Sequence, residues 1–167
     1  MIKIKKPSDA PPALPGGEIW KLLASFFGIG FSPVAPGTIA SAMAFIILWF
    51  IPTNHWIYWI SCIGFVLFGV IVSTKAERYW GKDPSKIVID EVAGSMVSVM
   101  MLPKNIYLWA IAFLAFRAYD IIKLPPARTA ENKLPRGWGV MLDDVIAGIY
   151  SFALVQIIRF LFFESLG

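Results

Sequence analysis

The chain has 167 residues, a length that corresponds to one domain. Hydrophobic residues make up 57% of it and its mean hydropathy is +0.68, whereas a soluble globular domain is about 45–50% apolar. The formal net charge of +4 does not indicate a nucleic-acid-binding protein, because the positive charges fall in loops between apolar segments. The composition therefore predicts an integral membrane protein.

The first 17 residues are predicted to form a basic, proline-rich arm in front of a membrane domain that occupies residues 18–167. Lys3, Lys5 and Lys6 are followed by prolines rather than by an apolar core, so we expect no secretory signal peptide. The single cysteine, Cys62, lies inside an apolar run, which excludes a disulfide framework.

Five apolar runs follow the arm, at about residues 39–51, 56–73, 92–102, 106–119 and 145–163. They predict an all-α, polytopic membrane protein with about five hydrophobic helices. Several runs are shorter than the roughly 20 residues of a typical spanning helix. We therefore expect the second, third and fourth helices to extend into their polar flanks.

The basic residues predict the orientation of the helices. Of the 15 lysines and arginines, 13 fall on one side of the predicted membrane, and only Lys104 and Arg159 lie elsewhere. The positive-inside rule places the side with 13 in the cytoplasm. Ten of the eleven acidic residues share that side, so we expect the chemistry at the cytoplasmic surface.

Two short segments, Ile89–Gly94 and Leu142–Gly148, nearly repeat each other. Each has two adjacent carboxylates directly before an apolar run, at the expected mouth of a helix. Adjacent carboxylates repel each other, and a divalent cation relieves that repulsion. Alternatively, acids at helix starts cap free N–H groups and complement the helix dipole. Two pairs on one side of a membrane favour the metal site.

A glycine- and proline-rich segment, residues 28–38, precedes the first predicted span. A helix N-terminus offers unpaired N–H groups to an anion, so Gly37 and Thr38 are candidates for binding a phosphate. Thr38 is predicted to be the N-cap of that helix. The alternative is an ordinary loop in front of a helix.

Arg117, Asp120 and Lys123 are spaced by three residues and are predicted to share one helical face. They form either a self-contained ion pair or a metal ligand between two phosphate-binding cations. Pro125 and Pro126 are expected to end the helix and turn the chain back towards Asp143 and Asp144.

The positions of the histidine and the cysteine, and the absence of one motif, also exclude several catalytic mechanisms. The only histidine, His55, is predicted on the opposite face, Cys62 lies within a span, and there is no nucleotide-binding Gly-rich loop. Carboxylates, arginines and lysines remain. These residue types suit metal-assisted phosphoryl chemistry.

Four motifs, in this order, resemble the phosphatidylglycerophosphatase A family: Gly30–Thr38, Ile87–Gly94, Phe116–Arg128 and Gly139–Gly148. The resemblance extends from about residue 20 to the end of the chain. It implies an all-α enzyme of the bacterial inner membrane, with its active site facing the cytoplasm. Such an enzyme removes the terminal phosphate of phosphatidylglycerophosphate, a phospholipid, to yield phosphatidylglycerol, with Mg2+ as cofactor.

With that resemblance, we expect Mg2+ to be held by some of five carboxylates: Asp90, Glu91, Asp120, Asp143 and Asp144. Four of them, Asp90, Asp120, Asp143 and Asp144, are the candidate catalytic residues. Phosphate oxygens are expected to bind Gly37, Thr38, Arg117, Lys123 and Arg128. Water then attacks phosphorus and a spare carboxylate takes its proton, with an aspartyl-phosphate intermediate as the alternative.

Three other functions compete with this expectation. A phosphotransferase that joins an alcohol to a CDP-activated lipid also gathers aspartates and Mg2+, but its longer aspartate signature is missing here. A divalent-cation or proton carrier would place acids in mid-membrane, whereas these lie at helix mouths and the far face has almost no charge. A purely structural membrane subunit would leave both carboxylate pairs unexplained. No oligomeric state is predicted.

Overall fold

The computed structural model describes residues 16–81 and 84–164, and within these ranges the chain is helical and has no strand. The all-α fold class is therefore confirmed. The helices are α1 Glu18–Ala24, α2 Pro36–Trp49, α3 Trp56–Trp80, α4 Ile89–Ser98, α5 Ile106–Ile122, α6 Ala127–Lys133 and α7 Gly137–Arg159. A 3-10 turn precedes α2 and a π-helical turn follows α7. The predicted arm lies outside the described residues except for Gly16 and Gly17.

Helices α2, α3, α4, α5 and α7 correspond to the five apolar runs. Two segments are long and apolar enough to cross a membrane, Trp56–Trp80 and Gly137–Phe162, and only 33% and 22% of their apolar windows are buried inside the bundle. Helix α4 has 10 residues, about 15 Å, which is half the roughly 30 Å of hydrocarbon in a bilayer. The count of five spans therefore stays a prediction.

Helix α7 is the centre of the bundle and packs against α3, α4, α5 and α6. It crosses α4 where two glycines meet: a Cβ on Gly148 would lie 2.5 Å from the carbonyl oxygen of Gly94. A Cβ on Gly94 would in turn lie 2.7 Å from the carbonyl oxygen of Asp144. Small residues allow helix backbones to approach this closely. The two nearly repeated segments therefore pack against each other.

The two ends of the bundle differ in charge. We call the end with the two acidic pairs the near end and the opposite one the far end. At the far end, Lys104 Nζ donates hydrogen bonds to the carbonyl oxygens of Leu48 (2.9 Å) and Ile51 (2.7 Å), where α2 ends. Arg159 donates to the carbonyl oxygen of Met101 at the same end, at 3.0 Å. The two basic residues that fall outside the predicted cytoplasmic set are thus placed together, away from the acidic pairs.

Two helix starts differ from the prediction. Helix α2 begins at Pro36, a favoured first helical residue, and its N-cap is Ala35, whose φ of 43° is left-handed. The prediction that Thr38 is the N-cap was wrong. Helix α7 begins at Gly137, eight residues before the predicted apolar run, and α6 lies between the fourth and fifth predicted runs, where we predicted no helix.

Candidate active site

A pocket of about 450 Å3 lies at the near end of the bundle, between α2, α4, α5, α7 and the loop before α4. All but one of the ten predicted site residues line it: Gly37, Thr38, Asp90, Glu91, Arg117, Asp120, Lys123, Asp143 and Asp144. Arg128 is exposed on α6 and is not part of the lining. Four motifs that are far apart in the sequence therefore meet in one cavity.

Three carboxylates form a compact group in this pocket. Asp90, Glu91 and Asp144 each offer an oxygen atom, and these atoms lie within 4.8 Å of one another. Asp144 Oδ2 is buried and has no hydrogen-bond partner among the described residues. A buried oxygen without a partner is costly unless something else satisfies it. An all-oxygen donor set fits a hard cation such as Mg2+.

The two acidic pairs occupy different positions in their helices. Asp90 and Glu91 lie in the first turn of α4, as predicted. Asp143 and Asp144 are the seventh and eighth residues of α7, where only 5% and 3% of their surface is exposed. The prediction that this pair lies at a helix mouth was wrong. Capping does not explain the pair, because capping acts within the first turn.

The other two carboxylates of the pocket form ion pairs. Arg117 on α5 contacts Glu91 on α4 and also Asp120, one turn further along α5, at 2.9 Å. Lys123 Nζ lies 2.7 Å from Asp143 Oδ2. Lys123 was expected to share the helical face of Arg117 and Asp120, but α5 ends at Ile122 and Lys123 is its left-handed C-cap. From there its side chain reaches α7.

The charges in the pocket do not balance. Five carboxylates face two cations, which leaves an excess of three negative charges if all the groups are ionised. Burial strengthens the repulsion between them, because the surroundings screen charge poorly. A phosphate group, itself an anion, would be repelled from such a pocket. A divalent cation between the carboxylates would reduce the excess to one negative charge and so weaken that repulsion.

The start of α2 is shaped around Glu91. A Cβ on Gly37 would overlap the Glu91 carboxylate, so only glycine lets this acid lie against the first turn of α2. Buried Ser41 donates a hydrogen bond to the carbonyl oxygen of Gly37 (2.8 Å), and its Oγ lies 3.4 Å from Glu91 Oε2. Sequence reasoning missed this role of Ser41. Its spacing of four residues from Gly37, which puts both on one helical face, was the available signal.

His55 and Cys62 are both outside the pocket. His55 caps α3 at the far end, where its ring accepts a hydrogen bond from the backbone N–H of Ile57. Cys62 is buried within α3. Pro84, Ser85 and Ile87, from the loop before α4, line the pocket instead, and sequence reasoning did not single them out.

The fold and the pocket define an all-helical protein that gathers carboxylates and cations at one end of an apolar bundle. Residues 22–159 match the family model described as phosphatidylglycerophosphatase A. The chain belongs to this family of lipid phosphatases.

Three similar proteins come from bacteria. A Bacteroides thetaiotaomicron protein, provisionally named a phosphatidylinositol-3-phosphatase, is 40% identical over 147 residues, which cover 83% of this chain and 92% of that protein. The Escherichia coli K12 phosphatidylglycerophosphatase A is 35% identical and the Haemophilus influenzae one 34%. Each of these two matches covers 83% of this chain, together with 83% and 88% of the relative, respectively. No solved structure matches the chain significantly.

Proposed function

We propose that this protein hydrolyses phosphatidylglycerophosphate to phosphatidylglycerol and phosphate, with the assistance of Mg2+. The observation that carries the proposal is the group of Asp90, Glu91 and Asp144, with its buried unpartnered oxygen, in a pocket that also contains Arg117 and Lys123. The family and two of the similar proteins support the substrate.

Asp90, Glu91 and Asp144 would hold the Mg2+ ion. Bound there, it would neutralise phosphate charge and polarise the phosphoryl oxygens, which favours attack at phosphorus. Arg117 remains within the pocket beside this group, and its buried Nε has no hydrogen-bond partner among the described residues. That N–H is therefore available to a phosphate oxygen.

The remaining groups bind the phosphate and move the proton. Lys123 and the first N–H groups of α2, at Gly37 and Thr38, complete the set of donors around the phosphate. Water attacks phosphorus, and Asp120 or Asp143 accepts a proton of the water. The bond from phosphorus to the glycerol oxygen breaks, and the same carboxyl group returns the proton to that oxygen, which leaves as the alcohol of phosphatidylglycerol. Direct attack by an aspartate is the alternative. Arg128 is assigned no contact with the phosphate.

We further propose that the bundle crosses the bacterial inner membrane five times, with the pocket facing the cytoplasm. Helices α3 and α7 have the length and composition of spanning helices. Helix α5 packs against α7, and α2 packs against α4 and α5. The chain after α4 continues through residues 99–105 to the far end, where the backbone N–H of Met101 donates a hydrogen bond to the carbonyl oxygen of Thr53. Only two of the 15 basic residues, Lys104 and Arg159, are assigned to that end, and the excess of basic residues on the other side favours this orientation.

A second candidate substrate comes from the Bacteroides relative, whose name refers to a phosphoinositide. Both lipids present a phosphate monoester, so the same pocket chemistry would serve either. The test is phosphate release by purified protein from phosphatidylglycerophosphate and from phosphatidylinositol 3-phosphate in matched micelles, with Asp144→Asn as the inactive control. We expect the higher kcat/KM on phosphatidylglycerophosphate. A preference for the inositol lipid would overturn the substrate proposal, and no release from either lipid would overturn the activity.

A further inference from the structure

An apolar groove of about 430 Å3 runs along the outside of the bundle between α2 and α5. Its lining residues are all apolar: Ala42, Phe45, Ile46, Trp49, Phe50, Ile106, Trp109, Ala110 and Phe113. The proposed reaction uses none of them. In a bundle that faces lipid, such a groove is occupied by hydrocarbon. It can hold the acyl chain of any membrane lipid, or it can bind the acyl chain of the substrate.

Four aromatic side chains in the lining of this groove pack against one another in pairs. Phe45 packs edge-on against Phe113, with ring centroids 5.3 Å apart, and Trp49 packs against Trp109 at 5.1 Å. Lys104 Nζ lies 4.2 Å from the centroid of the Trp109 ring and fixes the end of α2 through two backbone carbonyls. These contacts hold the aromatic lining of the groove in place.

The near end of the groove leads to the pocket along both of its walls. On α2, Ala42 lies four residues from Thr38, and on α5, Phe113 lies four residues from Arg117, so each pair shares one helical face. Thr38 and Arg117 line the pocket. By the helix rise, the groove begins about 6 Å from the pocket residues on either helix.

We propose that this groove binds one acyl chain of the phosphomonoester lipid whose head group occupies the pocket. The inference rests on the proposed function and names the site for the substrate's tail. The distribution of charge supports it: the pocket contains all the charged groups, which with a bound divalent cation would hold a phosphate, whereas the lining of the groove carries no charge. From Thr38 to Trp49 the distance along α2 is about 16 Å, close to the hydrocarbon depth of one leaflet.

A second apolar groove provides the comparison. It has the same volume, about 430 Å3, and lies at the far end between α2 and α3, where Leu48, Tyr58 and Ser61 contribute to its lining. None of its lining residues belongs to the pocket. Lipid tails are as apolar as leucine, so neither groove gains from the hydrophobic effect within a bilayer. The α2–α5 groove differs in its position, because an acyl chain bound there would be aligned with a head group in the pocket.

The test compares Ala110→Phe, which fills the α2–α5 groove, with Ser61→Phe, which fills the other. Ala110 and Ser61 are both small and exposed. Hydrolysis is measured on a dipalmitoyl and a dihexanoyl substrate with the same head group, because a short tail does not reach Ala110, about 10 Å along α5 from Arg117. For Ala110→Phe we expect kcat/KM on the long-chain lipid to fall about tenfold, mainly through KM, with less than about a threefold change on the short-chain lipid. Ser61→Phe should change neither.

Equal losses on both lipids, no loss on either, or the same loss in Ser61→Phe would overturn the groove proposal while the phosphatase activity stands. If wild-type protein hydrolyses neither lipid, the proposed function fails instead, and a binding measurement then decides on the groove. That measurement uses a phospholipid with a photoreactive acyl chain and a non-hydrolysable phosphonate head group. We expect it to label α2 and α5 several-fold more than the same chain on a choline head group. Equal labelling by the two lipids would also overturn the groove proposal.

Discussion

At the scale of single residues, Asp144 is the most informative side chain of the pocket. It is almost fully buried, one of its oxygens has no partner among the described residues, and two further carboxylates lie close to it. A side chain retained for stability alone would be paired or capped. We therefore propose that Asp144 is a metal ligand, and this role has consequences for both stability and rate.

Asp144→Asn keeps the shape of the side chain and removes its charge. We expect kcat to fall about a thousandfold, on the order of 4 kcal/mol in barrier, because metal binding and transition-state stabilisation are lost together. Glu18→Gln is the matched control, since Glu18 is an exposed acid that pairs with Lys21 on α1. Steady-state kinetics over a range of Mg2+ concentrations measures both. A loss of less than about tenfold in Asp144→Asn would remove this residue from the site.

In a chelator, Asp144→Asn should preserve or raise the thermal stability of the protein, although it lowers the activity. Without a cation, Asp144 repels Asp90 and Glu91, so the neutral amide should leave the melting temperature equal to or above that of the wild type. Mg2+ should stabilise the wild type by about 2.7 kcal/mol at one hundred times its dissociation constant, and the variant hardly at all. Thermal unfolding in EDTA and in Mg2+ measures both. An equal Mg2+ shift in the two proteins would contradict the assignment of Asp144 as a ligand.

Gly37→Ala tests the contact between α2 and Glu91. The added methyl group would overlap the Glu91 carboxylate and displace it from the group of three acids. We expect a loss of activity of about a hundredfold, as small displacements in a catalytic site produce. Gly64→Ala on α3 is the control, because a Cβ there meets nothing within 4 Å. Equal activity of the two variants would show that the position of Glu91 does not matter.

At the scale of the helices, the crossing of α4 and α7 determines whether the two acidic pairs meet. Gly148→Ala would press a methyl group against the backbone of Gly94 and force the helices apart. We expect it to destabilise the fold by about 1–3 kcal/mol and to weaken Mg2+ binding. Chemical unfolding in detergent and a Mg2+ titration measure the two effects. Unchanged values for both would show that the close crossing does not assemble the site.

Much of this arrangement could be predicted from the sequence, because hydropathy determines which segments of the chain form helices. The five runs, the first-turn position of Asp90 and the pairing of Arg117 with Asp120 all follow from local spacing. The depth of Asp143 and Asp144 in α7 could not, because Gly137 and Gly139 disfavour a helix locally. Packing overrides that preference: the backbone N–H of Gly137 bonds the Thr74 hydroxyl on α3 at 3.2 Å.

The sequence also could not predict which of the five acids would cluster together. Spacing along a helix is periodic and therefore predictable, whereas the reach of Lys123 from the end of α5 to Asp143 on α7 depends on how two helices pack. The same holds for Glu91 and Arg117, which belong to different helices. The sequence could nominate all five carboxylates, but only the packed structure separates the three clustered acids from Asp120 and Asp143, which lie outside the cluster.

At the scale of the whole molecule, the separation of charge between the two ends predicts its orientation in the membrane. In a Cys62→Ser background, a cysteine at Asn54 should react with an impermeant reagent from outside the cell. A cysteine at Ser85, on the rim of the pocket, should react only after permeabilisation. Activity should be retained in Cys62→Ser and in His55→Ala, because both residues lie outside the pocket. Labelling of Asn54 and Ser85 positions from the same side would contradict the five-span orientation.

The central claim is that the carboxylates of the pocket work through a divalent cation on a phosphomonoester lipid. The most direct test is the rate of phosphate release from phosphatidylglycerophosphate by chelator-treated protein as Mg2+ is added back. We predict no turnover in EDTA and a saturable recovery with Mg2+, with partial recovery in Mn2+ and little in Zn2+, since the donor set is all oxygen. Full activity in the chelator would contradict the account.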